Sequence, residues 1–286
     1  MSLAAVVARY EVARRIVKPN TANVVVLDIE RVQGRFRVEN YRGHMTLEGK
    51  FWDLSDTKNI IGRRLRPDEV ISWPRTICVA WRRYGRKRVK FAAEWDDGGR
   101  EQMLRDVWAV YDEADVIVGH NVAAFDTKKL KADWAMMGLK APRPWKSVDT
   151  LTIARREFGF ESNTLASLCQ RMNVPGKVDK YDPICAEAAV TGDLEAQKRL
   201  RIYNQGDIEA SEALYDAFRG WIANHPFMGL HGEEKVCNQC AGHELTLLPT
   251  KYRAVVLDYP LYRCDDCGAH LKGQWVARAA KFAGVR

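Results

Sequence analysis

Two carboxylates that lie two residues apart stand at the end of an apolar run near the N-terminus. The run covers residues 24–27, and Asp28 and Glu30 follow it in the order V-V-V-L-D-I-E. Because successive side chains of a strand alternate between its faces, both carboxylates point to the same side. Such a pair repels itself unless cations neutralise it, and oxygen ligands suit Mg²⁺ or Mn²⁺. The chain contains 37 acidic residues, so this pair taken alone is more typical of a solvated surface.

A third carboxylate, Asp126, ends the stretch G-H-N-V-A-A-F-D, which follows a short apolar segment. α/β proteins commonly place functional side chains where a strand ends in a glycine turn. His120 and Asn121 in this turn carry groups that can hydrogen-bond a nucleotide. An equally good interpretation of these residues alone is a structural turn in which Asp126 caps the following helix.

The last pair, Tyr203 and Asp207, lies in the stretch Y-N-Q-G-D-I-E-A. On a helix this spacing places the phenol and the carboxylate on one face, one turn apart. Taken alone, the pair is more typical of an amphipathic helix with a tyrosine at the edge of the core. The order of the three motifs is more informative, because a strand, a strand–turn–helix and a final helix carry them in turn.

In this order the motifs resemble those of the DEDD superfamily of 3′–5′ exonucleases, in its tyrosine branch, on an RNase H-like fold. The residues that carry the resemblance are Asp28, Glu30, Asp126, Tyr203 and Asp207. It covers about residues 23–220 and is supported by V-D-T-L-T-I-A-R at 148–155 and S-N-T-L-A-S-L at 162–168. The histidine branch would have His at position 202, where this chain has Ile. The long segment between the first two motifs is atypical.

The resemblance implies phosphodiester cleavage with two Mg²⁺ or Mn²⁺ ions. Asp28 would bridge both ions, and Glu30 and Asp207 would complete the site of the first ion. Asp126 would hold the second ion. Tyr203 would orient the attacking water, because a phenol with a pKa near 10 is a poor base by itself.

Other residues of the second motif are candidates for contact with the substrate. By the same resemblance, His120, Asn121 and Phe125 would bind the end of the strand. Asp149 is a fifth acid close to these motifs in the sequence. The favoured interpretation of Asp149 is an N-cap for a helix that begins at Thr150.

Four of the seven cysteines form two C-x-x-C pairs near the C-terminus, Cys237 with Cys240 and Cys264 with Cys267. Each pair lies in a turn-like setting with a glycine just after it, and short strands are predicted between the pairs. Two such turns that hold one tetrahedral Zn²⁺ explain how so few residues can fold, and the pattern resembles a zinc ribbon. The remaining cysteines are scattered, at Cys78, Cys169 and Cys185, so a disulfide framework is not indicated.

The elements that must position these motifs predict an α/β fold, an RNase H-like mixed sheet flanked by helices, plus a small C-terminal zinc ribbon. Strands of one sheet are predicted at residues 23–31, 34–53, 76–81 and 116–118, with a weaker candidate at 89–94. Residues 54–74 form a polar, irregular insert of unknown role. Helices are predicted at residues 102–111, 128–137, 150–158, 164–172 and 194–223.

Three units follow from this pattern. We predict an N-terminal helical extension at 1–22, an RNase H-like exonuclease domain at 23–223 and the zinc ribbon at 235–273. The boundary is placed where Pro226, Gly229 and Gly232 interrupt the helical periodicity.

The balance of charge favours a partner rich in phosphate. The formal net charge is +8, and basic proteins bind nucleic acid through release of counterions. We expect the chain to bind the 3′ end of a single strand, DNA more than RNA. A protein partner that binds the zinc ribbon is also considered. One basic cluster can either track a phosphate backbone or form a solvated hairpin: Arg82, Arg83, Arg86, Lys87, Arg88 and Lys90. No apolar run is long enough to span a bilayer, and a cytoplasmic location is expected.

Two other functions compete with the exonuclease. One is a nucleic-acid-binding adaptor with an inactive nuclease fold, although the presence of all four acids and the tyrosine argues against it. The other is an RNase H-like endonuclease of the junction-resolvase type, which would cut a closed circular substrate.

Overall fold

The computed structural model describes residues 22–176, 179–226, 236–253, 257–273 and 276–277. The helical extension predicted at 1–22 therefore lies almost wholly outside the described residues. The same holds for most of the boundary predicted between the two larger units, since residues 227–235 are not described.

The described strands form three separate sheets. In chain order they are β1 (Val24–Val32), β2 (Gly34–Tyr41), β3 (Met45–Phe51), β4 (Val70–Ser72), β5 (Arg75–Arg83), β6 (Lys90–Ala93), β7 (Val116–Gly119), β8 (Lys146–Asp149), β9 (Leu245–Arg253), β10 (Leu257–Cys264), β11 (His270–Lys272) and β12 (Val276–Ala277).

The described helices include all five that the sequence predicts, with shifted ends. They are α1 (Lys58–Ile61), α2 (Gly99–Glu113), α3 (Asp126–Met136), α4 (Thr150–Glu157), α5 (Leu165–Met172), α6 (Pro183–Val190) and α7 (Leu194–Phe218), and 3₁₀ turns cover Pro67–Glu69 and Arg219–Trp221. The short helices α1 and α6 were not predicted. The last predicted helix ends five residues early, because the 3₁₀ turn replaces its final part.

The central sheet has the strand order β6-β5-β1-β7-β8. Strand β1 pairs antiparallel with β5 and parallel with β7, and β7 pairs parallel with β8. Nearly every residue of β1 is buried, as expected for a central strand covered on both faces. The predicted fold class, a mixed RNase H-like sheet flanked by helices, is confirmed.

Alternation along β1 divides the core into two clusters. Val24 and Val26 pack in a cluster that includes Ile208 and Phe218 of α7. Val25 and Leu27 pack on the opposite face, in a cluster with residues of α2 and α3. Asp28 has the same parity as Val24 and Val26, so it faces the side covered by α7.

Residues 34–53 do not extend the central sheet, and that prediction was wrong. Strands β2 and β3 form a separate three-stranded sheet with β4, in the order β3-β2-β4. Both edges of β1 are already paired, with β5 and β7. Strand β2 alternates buried and exposed residues, and its buried Phe36 and Val38 form a small core with Phe51 and Leu65. The insert at 54–74 contributes β4 and α1 to this unit.

The C-terminal strands form their own small sheet, which packs against the end of α7. The side-chain amide of Gln239 donates to the carbonyl of Ile222 over 2.8 Å, and Ala241 belongs to the same buried cluster as Phe218. A Cβ on Gly220 would lie 2.6 Å from the carbonyl oxygen of Cys267, which is too close for any side chain. The ribbon therefore contacts the neighbouring domain directly.

Among the residues that the structure describes, no helix has the length and apolar character needed to cross a membrane.

Candidate metal centres

The first candidate centre is an acidic cluster, formed by Asp28 and Glu30 of β1 and Asp207 of α7. One carboxylate oxygen from each lies within 4.8 Å of the other two. Asp28 is partly exposed, while Glu30 and Asp207 are buried. The parity of β1 and the packing of α7 on that face bring the first and third predicted motifs together.

A neighbour of Tyr203 fixes the orientation of Asp28. The side-chain amide of Asn204, which is fully buried, donates to Oδ2 of Asp28 over 2.7 Å. Sequence reasoning missed Asn204. The available signal was its position three residues before Asp207, which places both on one face of α7.

Tyr203 lies within the acidic cluster and is buried. Burial raises the pKa of its hydroxyl well above the usual 10, and the charges of Glu30, Asp207 and Asp28 and a hydrogen bond with Asp207 act in the same direction. The raised pKa favours the protonated phenol, which can donate a hydrogen bond.

Asp126, the fourth predicted acid, is hydrogen-bonded to the backbone of the same strand. It is the first residue of α3 and buried, and its Oδ1 accepts a hydrogen bond from the backbone N–H of Ile29 over 3.1 Å. Burial raises the pKa of Asp126 to about 7, against the lowering effect of that hydrogen bond. The structure thus ties Asp126 to the residue between Asp28 and Glu30, although it is not one of the three acids whose oxygens lie within 4.8 Å of one another.

His120 is held by the helix that follows β8. Its two ring nitrogens lie 2.9 Å from Oγ1 of Thr150 and 3.0 Å from the carbonyl oxygen of Asn163. These contacts connect the second motif to the start of α4 and to the loop before α5. They favour a structural role for His120 over direct contact with a nucleic acid strand.

Asp149 caps α4, as predicted, and it also organises the second motif. Its side chain accepts from the backbone N–H groups of Leu151 and Thr152. It accepts in addition from Asn121 over 3.0 Å and from Ala123 over 3.1 Å. Asn121 adopts a positive φ of 68°, a conformation that Asn tolerates better than most residues. The turn before Asp126 is therefore anchored to the neighbouring strand β8.

Phe125, the last of the predicted substrate-binding residues, is 39% exposed. The ammonium group of Lys129 lies 5.8 Å from the centroid of its ring. Phe125 directly precedes Asp126, which is hydrogen-bonded to β1, and its ring remains accessible to a ligand.

The acidic cluster fits a hard divalent cation. All of its ligand atoms are carboxylate oxygens, which suit Mg²⁺ or Mn²⁺ better than softer ions. Its partial exposure at Asp28 leaves access for water or a substrate. The clustering of acids around a tyrosine of raised pKa is typical of a functional site.

The second candidate centre is formed by Cys237, Cys240, Cys264 and Cys267, whose sulfur atoms all lie within 4.8 Å of one another. The Sγ atoms of Cys237 and Cys267 are 3.7 Å apart, and those of Cys240 and Cys264 are 3.6 Å apart. A tetrahedral Zn²⁺ with bonds of about 2.3 Å requires sulfur–sulfur separations of about 3.8 Å, whereas a disulfide requires about 2.05 Å. The cluster fits zinc.

Backbone groups support two of these sulfurs. The N–H of Gln239 points to Sγ of Cys237 and the N–H of Gly242 to Sγ of Cys240, each over 3.4 Å. Such hydrogen bonds stabilise thiolates. The four-cysteine cluster predicted from the two C-x-x-C pairs is thus compatible with a zinc ribbon.

One member of the predicted basic cluster is not available to any partner, and its inclusion there was wrong. Arg82 is 1% exposed, and its Nε donates over 2.8 Å to Glu212, which is 0% exposed. The physical reason is the alternation of β5, which turns Arg82 toward α7. The remaining members are exposed: Arg83, Arg86, Lys87, Arg88 and Lys90.

No known protein family and no curated protein matches the sequence. The chain is similar in structure to the family B DNA polymerase from the hyperthermophilic archaeon Pyrobaculum calidifontis, with a TM-score of 0.47 and 15% sequence identity. That similarity covers 69% of this chain and 24% of the polymerase chain. At this level the similarity is one of general shape and carries no argument about activity.

Proposed function

We propose that the protein is a metal-dependent 3′–5′ exonuclease that hydrolyses phosphodiester bonds at the end of a nucleic acid strand. The observation that carries the proposal is the acidic cluster itself: Asp28, Glu30 and Asp207 converge beside the hydroxyl of Tyr203. The same residues, in the same order along the chain, carry the resemblance to the tyrosine branch of the DEDD exonucleases.

In this proposal Asp28, Glu30 and Asp207 hold Mg²⁺ or Mn²⁺, and Asp126 would hold the second ion. Two bound ions supply an activated water and neutralise charge on the phosphate and the leaving oxygen. Side chains of the protein have the other roles in this proposal. Asn204 holds Asp28 in one orientation through its 2.7 Å hydrogen bond, which keeps the ligand geometry ready before the substrate arrives.

Tyr203 positions the attacking water. Its hydroxyl remains protonated because burial and the neighbouring carboxylates raise its pKa. It therefore acts through hydrogen bonding, and the proton of the water must leave by another route. Because the acids of the cluster serve as ligands in this proposal, the proton passes to solvent, to which Asp28 is partly exposed.

The proposed substrate is a single strand with a 3′ end, DNA more than RNA. The net charge of +8 and the exposed basic turn between β5 and β6 support binding to a phosphate backbone. The zinc ribbon has a structural role in this proposal, and a protein partner for it stays open. None of the seven cysteines, all of which lie within the described residues, forms a disulfide, and we propose a cytoplasmic location.

The test is hydrolysis of a 5′-labelled single-stranded oligodeoxynucleotide with Mn²⁺. An exonuclease of this polarity yields a ladder that shortens one nucleotide at a time from the 3′ end. The same sequence as RNA in a parallel reaction decides the sugar preference. Asp28→Asn is the inactive control, and Asp106→Asn, an exposed acid on α2, is the matched control that retains activity.

A closed circular single strand separates the exonuclease from an endonuclease, because only the endonuclease cuts it. Binding of strands without any cleavage in Mg²⁺ or Mn²⁺ would support the adaptor instead and contradict the proposal.

A further inference from the structure

The short segment between β3 and the insert presents an aromatic side chain near the end of β1. Trp52 directly follows β3, and it is 38% exposed. The turn that carries it is held by Asp56, whose Oδ2 accepts from the backbone N–H groups of Trp52 and Asp53 over 2.8 and 2.9 Å. The indole ring is not needed for the turn, so its exposed position requires another explanation.

The neighbours of the indole connect it to β1. Its ring centroid lies 6.5 Å from that of Tyr181, and the guanidinium of Arg31 lies 5.9 Å from it. The hydroxyl of Tyr181 donates to the carbonyl of Arg31 over 2.5 Å. Burial raises the pKa of Tyr181, and the charge of Glu30 adds to this effect. Trp52 therefore lies beside the end of β1 that carries Arg31, the residue after Glu30.

The turn after Trp52 carries Asp53, which is within electrostatic range of Lys129 on α3. Hydrogen bonds from Ser55 lower the pKa of Asp53, and the positive charges of Arg64 and Lys129 lower it further. Lys129 in turn lies over the ring of Phe125. Two exposed aromatic side chains, Trp52 just after β3 and Phe125 from the second motif, thus lie near the strand that carries Asp28 and Glu30.

We infer that Trp52 is a base-stacking residue, which holds the 3′-terminal nucleobases of a single strand beside the acidic cluster. Aromatic side chains stack on any base, so such a site binds strands with little sequence preference. Arg31 and Tyr181 support the indole and limit its rotation, which lowers the entropic cost of stacking. The inference rests on the proposed function, and it assigns to the segment between β3 and the insert a role in binding the substrate.

The test measures binding separately from cleavage. All variants are made in an Asp28→Asn background, and the affinity for a fluorescein-labelled oligo(dT) is read by anisotropy. Trp52→Ala should weaken binding on the order of 10-fold, the loss typical of one stacked base. Trp52→Phe should recover most of it. Thermal melting confirms that each variant is folded.

The matched control is Trp221→Ala. Trp221 is 63% exposed, and it lies just beyond the C-terminal end of α7, roughly 20 Å along the helix from Asp207. Its loss should change the affinity less than twofold. An equal loss in both variants would show a general effect of removing exposed tryptophans and would overturn the inference.

A second strand, with two abasic residues at its 3′ end, tests stacking itself. Trp52→Ala should have no further effect on this strand, because the partner of the indole is missing. The same 10-fold loss on both strands would mean that Trp52 only supports the turn, and an affinity unchanged by Trp52→Ala would contradict the inference directly.

The two proposals fail in different ways. Strand binding that depends on Trp52, with no cleavage by the unmodified protein in Mn²⁺, would refute the exonuclease and leave the stacking site standing. Cleavage from the 3′ end with no effect of Trp52→Ala on affinity would refute the stacking site and leave the exonuclease standing.

Discussion

The molecule has two clusters of metal-binding residues that are built in opposite ways. The acidic cluster joins distant parts of the chain: Asn204 and Asp28, which share a hydrogen bond, are 176 residues apart in sequence. The cysteine cluster is local, since Cys240 and Cys264 are 24 residues apart. The first has hard oxygen ligands and the second has soft sulfur ligands, and each has one partly exposed member, Asp28 or Cys267.

The difference shows how one chain separates chemistry from stability. An acidic cluster that is open to solvent can exchange ions and admit a substrate, and the surrounding core must hold it together against its own repulsion. A closed sulfur cluster leaves no coordination position for a substrate, so its metal can only stabilise the fold. The following predictions test this division.

The largest effect is expected for Cys264→Ser. Loss of one thiolate should remove the zinc, whose binding contributes on the order of 10 kcal/mol to folding of such small units. Residues 237–270 should then lose protection in hydrogen exchange, while the central sheet keeps it because it has its own core. Elemental analysis beside hydrogen exchange measures both. Protection of 237–270 in protein that contains no zinc would contradict the structural role.

Asp28→Asn should reduce cleavage on the order of 10³-fold or more, because the shared ligand of the acidic cluster loses its charge. Stability should be unchanged or higher, since one of three mutually repelling carboxylates is gone. Single-turnover rates and urea unfolding measure the two effects. Cleavage within tenfold of the unmodified protein at saturating Mn²⁺ would remove Asp28 from the mechanism.

Tyr203→Phe should reduce cleavage by about 10²-fold, in line with the loss of one positioned proton donor. The affinity for Mn²⁺ should be retained, because the phenol is not a ligand. Titration calorimetry with Mn²⁺ separates the two effects. A variant that loses Mn²⁺ binding, as Asp207→Asn is expected to, would give Tyr203 a structural role instead.

The smallest effect concerns His225, which lies beside the ribbon and hydrogen-bonds the hydroxyl of Tyr215 over 2.7 Å. Burial lowers the pKa of His225 from 6.5 to about 4. Between these values the unfolded chain binds a proton that the folded chain does not, so stability falls as the pH drops below 6.5. The contribution lost at pH 5 is about 2 kcal/mol.

Urea unfolding at pH 7 and pH 5 measures this loss, and His225→Gln is the variant that should lack it. A pH dependence that is the same with and without His225 would show that other groups cause the loss.

The sequence was most informative where local geometry decides the outcome. The parity of Asp28 and Glu30, the one-turn offset of Tyr203 from Asp207 and the C-x-x-C turns depend only on strand, helix and turn geometry. The mixed sheet flanked by helices followed from the order of elements. The cysteine cluster could be predicted without knowledge of long-range packing, because its two turns are close in sequence.

Features that depend on long-range packing were not predictable in the same way. The separate sheet of residues 34–51 and 70–72 could not be predicted from local patterns. It depends on long-range pairing, because β5 and β7 already occupy both edges of β1. Arg82 is a basic residue in a basic stretch, and only the position of Glu212 on α7 shows that it is buried. Trp52 belongs to none of the sequence motifs, and its position beside Tyr181 depends on how the chain folds after β3.

The most direct test of the division between the clusters is a chelation experiment on the unmodified protein. Brief dialysis against EDTA should abolish cleavage of a 5′-labelled single strand while one zinc per chain remains bound. Addition of Mn²⁺ alone should then restore a ladder that shortens from the 3′ end. No 3′-end shortening after Mn²⁺ is restored, or recovery that requires zinc, would contradict the account.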